Sequence, residues 1–150
     1  MSLVALLLLA HVLLALITIG GNLTNTLWLR LGEREPEHLA YTIRGIRAID
    51  RGVANPAYAL LFVTGIALVL VTGIPLTTGW LAVAIAIYVA AAILGYFVFG
   101  PVVRAELAAL ERDGVDAPEY LRRRSQARSL AIVTTTMVLV ILALMVAKPF

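Results

Sequence analysis

The chain has 150 residues, of which 61% are hydrophobic and 14% are charged, and its mean hydropathy is +0.96. A water-soluble domain of this length cannot bury so much apolar surface, so a soluble fold is excluded. The net charge of +3 comes from arginines beside apolar segments, so we expect no nucleic-acid partner, and the lack of cysteine excludes disulfides and thiolate chemistry.

The first apolar run, 3–29, contains no charged residue. At about 1.5 Å per residue it is long enough to cross a hydrocarbon core of roughly 30 Å. Met1 and Ser2 provide no basic segment, and the run is too long for the apolar part of a signal peptide. We therefore expect a retained first span.

The next uncharged run, 52–103, is long enough for two crossings. Glycines, a proline and threonines at 72–79 interrupt it and predict a tight turn. Asn55 suits a helix N-cap, and Pro56 suits the first helical position. The predicted fold class is therefore all-α, an integral membrane four-helix bundle in a single transmembrane domain (1–150), with spans at 3–29, 55–72, 79–100 and 129–147.

The arginines predict the orientation of these spans. The loops after the first and third spans carry eleven arginines between them, and the loop after the second span carries none. Because basic loops stay in the cytoplasm, we expect a protein of the cell inner membrane with its N-terminus and C-terminus outside the cytoplasm.

The loop after the first span has helical periodicity, because Leu39, Ile43, Ile46, Ile49 and Val53 recur every three or four residues. This pattern predicts an amphipathic interfacial helix between the first two spans. Its arginines, and those preceding span four, are predicted to contact anionic lipid headgroups at the inner face; an arginine-lined site for another anionic ligand is the alternative. The arginines concerned are Arg44, Arg47, Arg51, Arg122, Arg123 and Arg124. Glu119 lies at helical pairing distance from Arg122 and Arg123.

A polar seam runs along the first span. His11, Thr18, Asn22 and Asn25 share one helical stripe, which should face the other helices rather than lipid. The structural interpretation is hydrogen bonding across helices, with Thr64 and the threonines 134–136 as candidate partners. The alternative is that His11 ligates haem b or copper, or handles protons. No second intramembrane ligand supports a metal site.

Span three carries Ala82, Ala86 and Ala90 at a spacing that lets helices approach closely. We expect this stripe to pack inside the protomer, with packing between protomers as the alternative. The predicted spans hold no Asp, Glu, Lys or Arg, which disfavours pumps and ion-coupled transporters. The favoured function is a non-enzymatic component that forms a homo-oligomer or binds a membrane partner, and the alternative is a haem- or copper-associated membrane redox or transport component that uses His11.

The whole arrangement resembles the bacterial integral membrane proteins grouped as domain of unknown function 2269. The resemblance is carried by His11, Gly20-Gly21-Asn22 before Trp28, Asp50-Arg51, Asn55-Pro56-Ala57-Tyr58, Thr64-Gly65 and Trp80. It implies a four-span inner-membrane protein and no established activity.

More distantly, the histidine, the Gly-Gly step and the Pro56 to Thr64-Gly65 pattern look like the copper-resistance D membrane domain and the membrane protoporphyrinogen oxidase. That likeness implies that His11 matches the histidine of their first span, which in the oxidase is tied to haem. The chain departs from both families because its spans contain no further histidine, and because Leu81 and Ala82 follow Trp80 where those families have a lysine.

Overall fold

The computed structural model describes residues 2–149, so the two ends of the predicted domain, residues 1 and 150, fall outside it. Within the described residues the secondary structure is helical, and no strand is present. The helices are α1 (Leu3–Gly32), α2 (Pro36–Ile49), α3 (Asn55–Thr72), α4 (Gly79–Ile93), α5 (Gly100–Asp113) and α6 (Pro118–Ala147), with π-helical turns at Asp50–Ala54 and Leu94–Phe99.

The π turns join α2 to α3 and α4 to α5, which gives four helical segments long and apolar enough to cross a membrane. These segments are Leu3–Gly32, Pro36–Thr72, Gly79–Asp113 and Pro118–Ala147. Only 6% of the most apolar window of the first segment is buried inside the chain, and none of that of the last is buried. Surface this apolar needs a lipid environment. The prediction of an all-α membrane protein with four spans is confirmed.

The chain divides into two compact units, which meet in sequence between Leu76 and Thr77. In the first unit, α1 packs along α3 and against α2. In the second unit, α6 packs against α4 and α5. Gly73, with φ of +69°, follows α3 and begins the turn that the glycines and proline predict.

The amphipathic helix appears where its periodicity predicts it, as α2. Leu39 and Ile43 are 1% and 3% exposed, because this part of the apolar stripe packs within the unit, where α2 meets α1. Further along the same stripe, Ile49 and Val53 are about half exposed, at 47% and 52%. The apolar face is therefore divided between a contact within the protein and a surface open to its surroundings.

Helix α3 begins at Asn55, but the prediction that Asn55 is an N-cap that opens a new helix is wrong. Asn55 has helical backbone angles, and its N–H donates to the carbonyl of Asp50 five residues earlier, so the helix runs on from α2. Proline inside a helix lacks one N–H, and its ring crowds the carbonyl four residues back. A π turn directly before Pro56 accommodates both effects without ending the helix.

The same arrangement recurs in the second unit. The Gly100 N–H donates to the Gly95 carbonyl, and Pro101 follows immediately. The helical segment extends past the predicted end of span three, since α5 continues to Asp113 before Gly114, with φ of +87°, ends it.

The second unit buries a different stripe of α4 from the one predicted. The buried residues of α4 are Trp80, Leu81 and Ala84, and Ala84 is only 1% exposed. Ala82, Ala86 and Ala90 are exposed, so the predicted stripe does not pack within the second unit. The reason is helical phase: α4 turns the face of Trp80, Leu81 and Ala84 inward, and the alanine stripe lies on a different face.

Candidate functional site along helix α1

The polar seam of α1 forms three side-chain bridges within the first unit. His11 meets Thr64 with 3.0 Å between Nδ1 and Oγ1, Asn22 donates from Nδ2 to the Tyr58 hydroxyl over 2.6 Å, and Asn25 donates from Nδ2 to Asp50 Oδ1 over 2.7 Å. The partners run backwards along the chain as the seam runs forwards, as in an antiparallel helix pair. The seam therefore faces the neighbouring helical segment.

The His11 end of the seam is closely packed. The Thr64 hydroxyl lies 2.9 Å from the Leu60 carbonyl and 3.1 Å from that of Leu61 in its own helix. Because that hydroxyl has one proton and donates it to the backbone, its oxygen is free to accept from His11. This favours the tautomer with the proton on Nδ1. Gly65 lies close to the imidazole, since a Cβ there would be 3.1 Å from His11 Cε1.

Thr18 lies between the two ends of the seam and is 1% exposed. Its hydroxyl donates to the Ala15 carbonyl over 2.9 Å. A threonine that bonds to its own helix satisfies its hydroxyl without a partner on another helix. Thr18 therefore completes the seam by packing, whereas His11, Asn22 and Asn25 bridge.

Two of the three bridging partners were not predicted from the sequence. Thr64 was a predicted partner, but Tyr58 and Asp50 were not connected with the seam. Asp50 falls outside the predicted second span, and only the π turn and the continuous helix bring it level with Asn25. Since Asn25 lies four residues before the predicted end of span one, a carboxylate sits about 6 Å inside that boundary. The predicted antiparallel hairpin of the first two spans could have indicated these partners, because it places Asn22 and Asn25 opposite the start of α3.

Two of the other predicted partners, Thr134 and Thr136 of α6, form hydrogen bonds within their own helix. Thr134 donates to the Leu130 carbonyl over 3.0 Å, and Thr136 donates to the Ile132 carbonyl over 2.9 Å. These bonds satisfy the two hydroxyls within their own helix.

The arginines of α2 and its π turn form a second candidate site. Arg44, Arg47 and Arg51, together with Ala48, line an open pocket of about 170 Å³. Their spacing of three and four residues places the three guanidinium groups on one side of the helix. An open cationic pocket of this size suits a phosphate or carboxylate group.

Two arginines at the start of α6, Arg122 and Arg123, form ion pairs with the carboxylate of Glu119. Arg122 forms a two-point ion pair with Glu119, with N···O distances of 3.0 and 3.1 Å, and Arg123 Nε donates to Glu119 Oε1 over 2.8 Å. This confirms the predicted pairing. The hydrogen bonds from Arg122 and Arg123 lower the pKa of Glu119 from 4.5 to about 2.

A buried carboxylate in the second unit was not predicted. Glu106 of α5 is 3% exposed, and Tyr120 of α6 is 1% exposed. Among the described residues, every buried side-chain nitrogen or oxygen has a hydrogen-bond partner. Glu106 is therefore a satisfied group in the packing of this unit.

The chemistry available to these groups is limited. Within residues 2–149 no group of three or more His, Cys, Asp or Glu side chains lies close enough to hold a metal ion. The seam consists of hydrogen bonds between helices, which stabilise packing by about 1 kcal/mol or less each. Whether His11 also ligates haem or copper stays a prediction.

Comparison with known proteins supports the membrane assignment. A family model described as predicted integral membrane protein (DUF2269) matches residues 5–149. No curated protein and no solved structure matches the chain. This match does not show the more distant likeness to the copper-resistance D domain or the protoporphyrinogen oxidase.

Proposed function

The chain belongs to the DUF2269 family of predicted integral membrane proteins, and from that premise we propose that it is a non-enzymatic membrane component that packs with itself or with another membrane protein. The observation that carries the non-enzymatic part of this proposal is the seam of α1. Its bridging side chains, His11, Asn22 and Asn25, are all engaged in bonds to the neighbouring helical segment. Polar groups used in this way stabilise a helix pair.

The proposed location is the cell inner membrane, with both termini outside the cytoplasm and the whole chain forming one transmembrane domain. Support comes from the segregation of arginine. The turns at 33–35 and 114–117 are flanked by arginine-bearing helical ends, and the turn at 73–78 has no basic residue. Short basic segments are retained in the cytoplasm.

The inner face is proposed to contact anionic lipid headgroups through Arg44, Arg47 and Arg51. Their open pocket and their place on an amphipathic helix support this role. A cluster of this kind gains about 1 kcal/mol per arginine at an anionic membrane surface.

Self-association is proposed to use α4. Ala82, Ala86 and Ala90 form an exposed stripe of small residues. Small residues four apart let two membrane helices approach closely and pack by van der Waals contact. The buried residues of α4 are Trp80, Leu81 and Ala84, so the alanine stripe is not the face of this helix that packs within the second unit.

The topology is tested with single cysteines, which the chain allows because it has none of its own. Thr77→Cys and Asp116→Cys lie in exposed turns on either side of the segment Gly79–Asp113. Neither change removes a basic residue that sets orientation. In intact cells an impermeant thiol reagent should label Thr77→Cys and spare Asp116→Cys. Labelling of both from outside would overturn the four-span arrangement.

The packing role is tested by oxidative crosslinking in native membranes. Ala86→Cys lies on the exposed stripe, and Ala92→Cys lies on another exposed face of the same helix. We expect Ala86→Cys to give a disulfide-linked homodimer or an adduct with one membrane protein, and Ala92→Cys to give far less of either. Monomer alone from both variants would refute the proposal.

A further inference from the structure

We propose that a groove on the second unit binds one anionic phospholipid, with the phosphate at Arg123. The groove lies between α6 and the segment formed by the second π turn and α5, and its volume is about 500 Å³. The proposal does not depend on the orientation or the self-association proposed above, since it concerns one unit of one chain.

The lining changes from polar to apolar along α6. Arg123, Ser125, Gln126 and Ser129 form its polar part, and Leu130 follows them. Arg123 and Leu130 are seven residues apart, which is about 10 Å along a helix axis. The groove therefore has a cationic, hydrogen-bonding end and an apolar end.

The opposite wall continues the apolar end. Val98 of the π turn and Val102 of α5 are four residues apart and face the groove together. Val98 is the farther of the two from the α5–α6 turn, so this wall extends the apolar surface away from the arginines. A molecule with a charged head and a hydrocarbon chain matches this lining.

The charge of the residues that line the groove favours a lipid with an anionic headgroup. Arg123 is the charged residue among those that line the groove, and no carboxylate is among them. Glu119 engages the Nε of Arg123, which orients the guanidinium and leaves its terminal nitrogens to other acceptors. Arginine binds phosphate oxygens through such paired N–H groups.

The α6 segment that carries Arg123 has an excess of positive charge. The segment 118–128 contains four arginines and one carboxylate, that of Glu119. A segment with this excess of arginine over carboxylate attracts anionic lipids. The expected occupant is thus a phospholipid with net negative charge, such as phosphatidylglycerol.

The experiment is native mass spectrometry of the full chain in mild detergent with equimolar phosphatidylglycerol and phosphatidylcholine of matched acyl chains. The wild type should retain one phosphatidylglycerol with about tenfold preference, the scale of one charge-assisted bond. Arg123→Gln should abolish the preference. Arg122→Gln is the matched control, because it removes the other partner of Glu119 but does not line the groove.

A second variant tests the apolar wall without changing charge. Val102→Trp should reduce retention of both lipids by filling the groove. Thermal unfolding without added lipid shows whether each variant is folded. Equal loss of preference in Arg122→Gln and Arg123→Gln would overturn the proposal in favour of general surface charge. Displacement of the lipid by millimolar inorganic phosphate would overturn it in favour of a free-phosphate site, and a wild type without preference would refute it outright.

Discussion

Gly65→Ala tests the packing of the polar seam. The added Cβ would lie 3.1 Å from His11 Cε1 and 3.7 Å from Nδ1. The first distance is closer than ordinary van der Waals contact, so the ring or one of the two helices has to move. Movement of the ring also disturbs the bond to Thr64, which joins the same two helices.

The magnitude follows from two opposing terms. Alanine is favoured over glycine in a helix interior by about 1 kcal/mol. Overpacking a well-filled contact costs about 1–3 kcal/mol. Gly65→Ala should therefore lower the free energy of unfolding by up to about 2 kcal/mol, the difference between those two terms.

A double-mutant cycle with His11→Ala isolates the cause. Without the imidazole the clash is absent, so Gly65→Ala should raise the free energy of unfolding by about 1 kcal/mol in that background. The two substitutions should then be coupled by about 1–3 kcal/mol. The assay is reversible unfolding in mixed micelles of mild detergent and dodecyl sulfate.

Gly21→Ala is the matched control, because a Cβ at that helical glycine meets nothing within 4 Å. It should be neutral or stabilising with or without His11. The packing described for the seam would be refuted if Gly65→Ala behaved like Gly21→Ala and the cycle with His11→Ala were additive.

Three further predictions concern single groups. Because Arg122 and Arg123 lower the pKa of Glu119 to about 2, its contribution to stability is complete above about pH 4.5 and is lost as the pH falls towards 2; Glu119→Gln should flatten this part of an unfolding-against-pH profile. Gly32→Ala should destabilise the α1–α2 contact by about 1–3 kcal/mol, because its Cβ would lie 2.9 Å from Thr42 Oγ1; reversible unfolding measures the loss. Protein purified from cells supplied with haem precursor should be colourless, as read from oxidised and reduced absorption spectra.

The controls use residues outside these contacts. Asp116→Asn removes an exposed carboxylate near Glu119 and should leave the acid part of the profile in place. Gly45→Ala adds a Cβ on α2 that meets nothing within 4 Å, so a loss equal to that of Gly32→Ala would contradict the proposed contact. A stoichiometric Soret band that His11→Ala abolishes would establish the haem role and contradict the non-enzymatic proposal.

Composition and periodicity alone determined the membrane character of this protein. Four charge-free stretches, a glycine- and proline-containing turn and a stripe of polar residues on α1 are local properties of the chain. The hydrocarbon core demands long apolar helices, so these properties already require four spans. The same reasoning predicted α2 and named Thr64 as a candidate partner of the seam.

Tertiary structure decided which groups meet. The proline at 56 is compatible both with a helix start and with a helix interior, and only the π turn before it selects the second. That continuity brings Asp50 to Asn25 and Tyr58 to Asn22. The phase of α4 likewise places Trp80, Leu81 and Ala84 inward and leaves Ala86 exposed. A helix's rotation about its axis depends on its neighbours, which is why contacts and buried faces were settled by packing rather than by periodicity.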